Sequence, residues 1–255
     1  MSELPQQRPP AGIGAEEWAV RVDLAACYRL IAHYGWDDLI FTHLSARVPG
    51  PEHHFLINPY GALFEEITAS SLVKVDQDGQ AVGPEAERQR INPAGFTIHS
   101  AVHMARSDAQ AVIHLHCAPG VAVSAQAAGL LPLSQTAMLV RGHIAFHEYE
   151  GVALDLEERE RLIRDLGDRK CLLLRNHGTL TVGESVAEAF IWTYYLIKAC
   201  EIQIAALGGG TPLHLPPEAA IDTTHAQSEG LPRVGGLAWK ALRRLLDRKD
   251  PSYAS

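Results

Sequence analysis

The clearest chemical feature of the sequence is the pair His114 and His116. One residue separates them within residues 111–117, an apolar, β-branched run that predicts a strand. Side chains alternate faces along a strand, so both imidazoles leave the same face, about 7 Å apart along the chain. Two neutral imidazoles in that position can hold one divalent metal ion. The alternative is two histidines on a polar strand face, and the pattern alone does not decide between them.

A third histidine, His177, follows a predicted buried strand at 171–174 and precedes Gly178. A histidine at a strand end, before a glycine turn, can point into a cleft at the end of a sheet. Taken alone, it is more typical of a turn histidine that binds backbone. With His114 and His116 it makes a candidate three-nitrogen site, and three protein ligands leave coordination positions open, as catalytic metal sites do.

Composition indicates an ordinary globular protein. The chain has 255 residues, 47% of them hydrophobic, which is enough for one large α/β domain or two small ones. The formal net charge of −8 argues against nucleic-acid binding. The four cysteines lie far apart and form no Cys-x-x-Cys pair. Because the sequence also has no secretory signal and no apolar run of about 18 residues, we expect no membrane segment and a reduced, cytoplasmic location.

Hydrophobic spacing predicts hairpin strands early in the chain and an alternation of strands and helices later. Helices are predicted at 16–34, 96–106, 156–166, 185–207 and 237–247. Strands are predicted at 39–48, 54–58, 71–75, 81–82, 111–117, 139–146, 171–174 and 180–182. Ser185 and Glu188 predict a capping box at the start of the long helix. This order favours one domain, with a sheet of mixed strand directions and helices on both faces.

The sequence resembles the class II aldolase/adducin family over roughly residues 15–207. The segments that carry the resemblance are 56–61, 92–99, 114–116, 175–178, 182–190 and 199–203. The resemblance implies an α/β fold, a three-layer α/β/α sandwich with a mixed, mainly antiparallel central sheet. It also implies a homotetramer that acts on a small molecule, with one divalent metal ion near a subunit interface. The implied ligands are His114, His116 and His177, with zinc as the first choice of metal and manganese or iron as alternatives.

The chain is predicted to divide into three parts. Residues 1–12 are polar and proline-rich and are predicted to be a disordered tail. Residues 13–208 are the family-like domain. Residues 209–255 are predicted to be an extended linker, rich in glycine and proline up to residue 235, followed by the short helix.

The chain departs from the sugar-phosphate aldolases of the family at one important place. Those enzymes carry a Ser-Ser-Glu segment whose glutamate transfers a proton and whose serines help to hold phosphate, and this chain has Pro93-Ala94-Gly95 there. It also has His43 where they have asparagine, and Tyr60-Gly61 where they have Thr-Gly. The phosphate-binding set is therefore largely absent. The pattern is closer to the adducin head domain, although adducin also lacks metal ligands that this chain keeps.

Without that glutamate, another residue must serve as the acid or base. The candidates are His99, His43, His147 and Tyr149. We place His99 and Tyr149 first, with Tyr149 donating a proton to a leaving group. A histidine on a helix surface and a tyrosine packed at a strand end are the structural alternatives.

Four residues are candidate substrate contacts. Arg141 and Arg175 each carry a guanidinium that can bind a carboxylate bidentately, although Arg175 can equally pair within the fold. His43 and Tyr60 occupy the two positions at which the aldolases carry different polar residues.

Three functions from different classes remain open. The first is a metal-dependent lyase that performs aldol cleavage or decarboxylation of a small, non-phosphorylated hydroxy- or keto-acid, because a divalent ion stabilises an enolate. The second is a non-haem iron oxygenase with a three-histidine site. The third is an adducin-like, cytoskeletal-type interaction module with little or no catalysis. Metal identity separates them.

Overall fold

Seven strands form one mixed sheet in the computed structural model, which describes residues 9–83, 90–151 and 157–255. The strands are β1 His43–Arg47, β2 Phe55–Ile57, β3 Val73–Val75, β4 Ala111–Leu115, β5 Ile144–His147, β6 Cys171–Leu174 and β7 Gly178–Gly183. The helices are α1 Ala15–Tyr34, α2 Pro93–Ala105, α3 Ala118–Ser124, α4 Gln135–Arg141, α5 Glu158–Leu166, α6 Val186–Gly208, α7 Glu218–Gln227 and α8 Leu231–Lys249. Residues 1–8 of the predicted tail and Leu156, the predicted first residue of a helix, lie outside the described residues.

The sheet has the strand order β3-β2-β1-β4-β7-β6-β5. Among the six strand pairs of the described residues, β5 and β6 pair in parallel and the other five pairs are antiparallel. The strands β4, β5 and β6 therefore point the same way. Their carboxyl ends meet the amino ends of β1 and β7 at one end of the sheet, which we call the histidine end.

Helices cover both faces of the sheet, which confirms the three-layer α/β/α architecture. On one face α1, α3, α4 and α6 pack on alternate strand residues such as Leu44, Ile113 and Leu173. On the other face α2 and α5 pack on Val112, Leu172, Leu180 and neighbours. No helix among the described residues is both long enough and apolar enough to cross a bilayer.

The segment after α6 contains the helices α7 and α8, so the prediction of an extended linker over 209–235 is wrong from residue 218 onward, while residues 209–217 lie outside any helix. Its prolines mark helix starts, because Pro217 directly precedes α7 and Pro232 lies in the first turn of α8, where a missing N–H breaks no bond. Gly235 is a packing residue, since a Cβ there would lie 2.8 Å from Cγ2 of Ile191 in α6. The helix α8 is also tied to α1, because the indole of Trp239 donates to Asp23 at 3.0 Å.

The predicted strand at 139–146 is also partly wrong. The structure ends α4 at Arg141 and begins β5 at Ile144. Ser134 starts this helix, because its hydroxyl accepts from the N–H of Ala137, and the buried Ala137 and Val140 lie three residues apart on its inner face. The Ser134 cap therefore begins a helix that extends into an apolar run whose pattern predicts a strand.

Beneath α2 lies a buried polar chain of three side chains. His103 Nδ1 is 2.9 Å from the carbonyl oxygen of Ala109, and Ser45 Oγ lies 2.7 Å from His103 Nε2 and 2.6 Å from His99 Nδ1. A carbonyl only accepts, so neutral His103 carries its proton on Nδ1 and accepts from the Ser45 hydroxyl at Nε2. The hydroxyl oxygen then accepts from His99 Nδ1–H. The chain of bonds thus leaves His99 Nε2 as a bare acceptor.

Burial lowers the pKa of His103 to about 3 and that of His99 well below its usual range. The unfolded chain binds a proton at each histidine below about pH 6.5, whereas folded His103 binds one only near its lowered pKa. Between these values the unfolded state holds more protons. Each such histidine therefore makes the free energy of unfolding fall as the pH falls, by up to about 1.4 kcal/mol per pH unit.

We predict that His103→Gln makes this acid-induced loss of stability shallower by about 1 kcal/mol per pH unit between about pH 6 and pH 4. Urea unfolding at several pH values measures the slope. The exposed His214 provides the control, because His214→Gln should leave the slope unchanged. Equal slopes for wild type and His103→Gln would contradict a neutral, buried His103.

Candidate metal centre

Three imidazoles converge at the histidine end. His116 Nε2 lies 3.1 Å from His114 Nε2 and 3.0 Å from His177 Nε2. One ligand atom from each of the three lies within 4.8 Å of the others, and they are the one such group of three found in the described part of the chain. The geometry brings together the three residues expected from the sequence, through the same type of nitrogen atom in each ring.

The strands position these rings. His114 lies in β4 and His116 just beyond its end, both on the face covered by α2 and α5. His177 lies in the turn between β6 and β7, where Asn176 has a left-handed backbone with φ 56°. A Cβ at Gly178 would lie 2.4 Å from the carbonyl oxygen of Leu115. Glycine is required there, because it lets the start of β7 approach the end of β4.

Hydrogen bonds at Nδ1 orient two of the three rings. His114 Nδ1 donates to the carbonyl oxygen of Thr179 at 3.0 Å, and His116 Nδ1 donates to the carboxylate of Asp38 at 3.1 Å. In the neutral tautomers this leaves the Nε2 lone pairs facing the shared centre, as metal-bound histidines require. Burial lowers the pKa of His114 well below its usual range and that of His177 to about 4, which keeps both in the metal-binding form. The residues therefore fit a divalent metal ion.

Asp38 contacts His116, a contact that the sequence did not predict. It begins a tight turn in which the Phe41 N–H donates to the Asp38 carbonyl at 2.8 Å. Leu39 and Thr42 have φ values of 53° and 66°, a conformation that costs a side-chain-bearing residue roughly 1–2 kcal/mol. The predicted strand at 39–48 therefore begins only at His43. An acidic residue in a loop carries no local signal that it will reach a histidine far along the chain.

His43 lies beside this centre. It pairs with His114 across β1 and β4, so the two side chains share a face. It is 4% exposed, and neither ring nitrogen has a hydrogen-bond partner within the described residues. Burial lowers the pKa of His43 to about 4. Its ring occupies the space next to Gly95, where a Cβ would lie 2.4 Å from His43 Nδ1.

Tyr149 and His147 line the neighbouring part of the histidine end. The Tyr149 ring centroid is 6.3 Å from that of His177, and the side chain is 55% exposed. His147 is buried at the end of β5, with Nδ1 2.8 Å from Asp165 and Nε2 3.4 Å from Glu158. These two carboxylates fix the His147 ring, and the Tyr149 side chain is the more accessible of the two.

Two other predicted site residues are bonded to neighbouring groups of the fold. His99 is fully buried beneath α2 and bonded to Ser45. Arg175 donates to the carbonyl oxygens of Ser124 and Gln126 at 3.3 and 2.7 Å and stacks on Phe146. Its Nη1 is therefore bonded within the fold, and its role as a substrate anchor stays a prediction.

Arg141 and Tyr60 lie at opposite ends of the sheet. Arg141 ends α4, before the amino end of β5, so it lies at the opposite end of the sheet from the histidines. It cannot join the metal centre of its own chain, because the length of β5 separates them. Tyr60 follows β2, whose carboxyl end lies beside the amino end of β1, and its side chain is 47% exposed. Tyr60 therefore remains at the histidine end.

Comparison with known proteins agrees with this geometry. The profile of the family described as "Class II Aldolase and Adducin N-terminal domain" matches residues 22–204. The chain belongs to this family. It is 56% identical to a Caulobacter vibrioides protein named for the class 2 aldolases, over 98% of both chains. It is 42% identical to rat alpha-adducin over 91% of this chain, which spans 33% of that protein.

Solved structures agree on the fold. An aldolase II superfamily protein from Pseudomonas syringae is 51% identical, with a TM-score of 0.89, over 95% of this chain and 98% of that one. The L-fuculose 1-phosphate aldolase of Glaciozyma antarctica is 29% identical, with a TM-score of 0.81, over 96% of each chain. The class II aldolase fold is therefore shared by this chain.

The contact between His43 and Gly95 yields a prediction. Gly95→Ala should lower the free energy of unfolding by about 2 kcal/mol, because the new methyl group must displace a buried ring. In the His43→Ala background the same change should cost nearly nothing, because the space is empty. Urea unfolding of the four proteins measures this coupling.

Gly236→Ala is the matched control, since Gly236 also lies in a helix but has open space at its Cβ position. That change should raise stability slightly in both backgrounds. An equal cost of Gly95→Ala with and without His43 would contradict the proposed packing.

Proposed function

We propose that the protein is a metal-dependent carbon–carbon lyase that cleaves or decarboxylates a small hydroxy- or keto-acid without a phosphate group. The observation that carries this proposal is the convergence of the Nε2 atoms of His114, His116 and His177 at one end of the sheet. Family membership supports it, as does similarity to a protein described as an L-fuculose 1-phosphate aldolase.

The three histidines would hold one divalent ion, with zinc as the first choice and manganese or iron as alternatives. When bound, such an ion polarises a carbonyl or carboxylate oxygen and stabilises an enolate. The protein supplies three neutral ligands and leaves coordination positions open. Asp38 and the carbonyl of Thr179 keep two of the rings in the binding orientation.

Two side chains would handle the substrate. The exposed phenol of Tyr149 lies beside His177, where it can donate a proton to a leaving group. His43, with two unpartnered ring nitrogens, can hydrogen-bond to a substrate oxygen. We assign His99 a supporting role behind His43, because its ring lies 6.1 Å from that of His43 and its Nδ1 is bonded to Ser45.

The absence of phosphate from the proposed substrate rests on position 95 and its neighbours. Pro93, Ala94 and Gly95 offer neither a hydroxyl nor a carboxyl group. The space beside Gly95 is filled by the neutral ring of His43, which brings no positive charge to balance a phosphate dianion. We also propose that the protein is cytoplasmic and forms a homotetramer with the metal near a subunit interface, without nucleic-acid or membrane partners.

A second candidate is an interaction module without catalysis. The observation that favours it is the 42% identity to rat alpha-adducin. The two candidates differ in their need for metal, because a binding module does not require three converging imidazoles. Bound iron with oxygen uptake would instead support the oxygenase that the sequence left open.

We predict that the purified protein contains about one equivalent of zinc or manganese, and that His114→Ala and His177→Ala each lose it. The reason is that two remaining imidazoles bind a divalent ion far more weakly than three. Elemental analysis gives the metal content, and His214→Ala is the control for an exposed histidine. Full metal content in either ligand variant would contradict the site.

The catalytic proposal is tested with a panel of keto- and hydroxy-acids, with and without metal. Tyr149→Phe should keep the metal but lower kcat by about 100-fold or more, because it removes only the proton donor. If metal-loaded wild type cleaves none of the acids, the lyase proposal fails. If wild type cleaves one of them and Tyr149→Phe does not lower kcat, Tyr149 is not the proton donor. A metal-free wild type would support the interaction module.

A further inference from the structure

Arg159 carries a guanidinium with an unused hydrogen-bonding edge. Its Nε and Nη2 atoms are buried, and neither has a hydrogen-bond partner among the described residues. The guanidinium instead packs over an aromatic ring, with its carbon 5.2 Å from the centroid of the Phe96 ring. The other arginines of α5 are paired, because Arg161 binds Glu150 and Arg164 binds Asp165. Buried polar atoms are nearly always satisfied, so this exception needs an explanation.

The two unsatisfied atoms define the shape of the missing partner. Nε and Nη2 lie along one side of the planar guanidinium, and their N–H groups point the same way. This pair of parallel donors matches the two oxygens of a carboxylate, which it binds bidentately. Burial without a partner also lowers the pKa of Arg159, as expected for a charge removed from water with no anion beside it.

The position of Arg159 is at the histidine end. It is the second residue of α5, and the preceding Glu158 contacts His147 at the end of β5. Its guanidinium reaches across to Phe96 in the first turns of α2. Phe96 follows Gly95, which packs against His43, the cross-strand neighbour of His114. Arg159 therefore bridges the amino ends of α2 and α5, on the sheet face that carries the metal-binding histidines.

We propose that Arg159 binds the carboxylate of the substrate acid through Nε and Nη2, while another oxygen of that acid faces the three histidines. This inference rests on the proposed function and names a carboxylate anchor at the histidine end. It also gives the acid group a charged partner that is separate from the metal ligands. The amino ends of both helices add partial positive charge on the same side.

The test measures binding of glycolate, a small hydroxy-acid, to the metal-loaded full-length protein by calorimetry. Arg159→Gln should weaken glycolate binding at least tenfold, and Arg159→Lys should restore only part of it, because lysine keeps the charge but not the planar pair of donors. Arg164→Gln, on the same helix but exposed, should bind like wild type. Glycolamide, which lacks the carboxylate, should bind wild type and Arg159→Gln equally.

Two further readouts distinguish an anchor from a structural residue. Without ligand, Arg159→Gln should unfold at the same temperature as wild type or higher, because it removes an unpaired buried charge. With a turned-over acid, it should raise KM far more than it lowers kcat. A lower unfolding temperature with unchanged glycolate binding would overturn the proposal.

Other outcomes also overturn it. Inorganic phosphate that binds as tightly as glycolate through Arg159 would replace the carboxylate assignment with a phosphate site. If wild type binds no glycolate, Arg159 is not a carboxylate anchor. The proposed function is judged separately, because loss of metal in His114→Ala tests the histidines whether or not Arg159 contributes.

Discussion

The close approach of β7 to the end of β4 is the constraint on which the histidine cluster depends. Gly178 makes it possible, because any side chain there would collide with the carbonyl oxygen of Leu115. The same approach places the carbonyl of Thr179 against His114 Nδ1 and sets His177 beside His116. One antiparallel strand pair therefore fixes the tautomer of His114 and brings His177 beside His116. Ligands held by strands are more rigid than ligands held by loops alone.

Burial governs the rest of the chemistry on this face of the sheet. The rings of His43, His99, His103 and His114 are all buried, and burial lowers the pKa of each. They are therefore neutral near pH 7, and each has a nitrogen that can accept a hydrogen bond or a metal. The hydrogen bonds from Ala109 through Ser45 fix one tautomer along the chain. A face of neutral imidazoles next to one unpaired guanidinium is suited to an anionic ligand and a cation.

The sequence predicted the three-histidine cluster and the architecture because these depend on short-range patterns. The His-x-His spacing, the buried strand before His177 and the helix that ends at Gly35 with φ 69° are all local. Asp38 and Arg159 could not be found in this way, because their partners lie far along the chain or outside it. Arg141 appeared suitable by residue type alone, and only the strand directions show that it lies at the wrong end of the sheet. The glycines and prolines after residue 209 predicted a linker. In the structure they begin helices or allow close helix packing, and these roles become clear only once the neighbouring helix is known.

The most direct test of the account is X-ray absorption spectroscopy at the metal edge of the loaded protein. We predict a first shell with three imidazole nitrogens at about 2.0–2.1 Å, completed by oxygen from water or substrate, and the loss of one imidazole's scattering in His177→Ala. A sulfur neighbour at about 2.3 Å, or a spectrum that does not change in His177→Ala, would contradict the three-histidine centre.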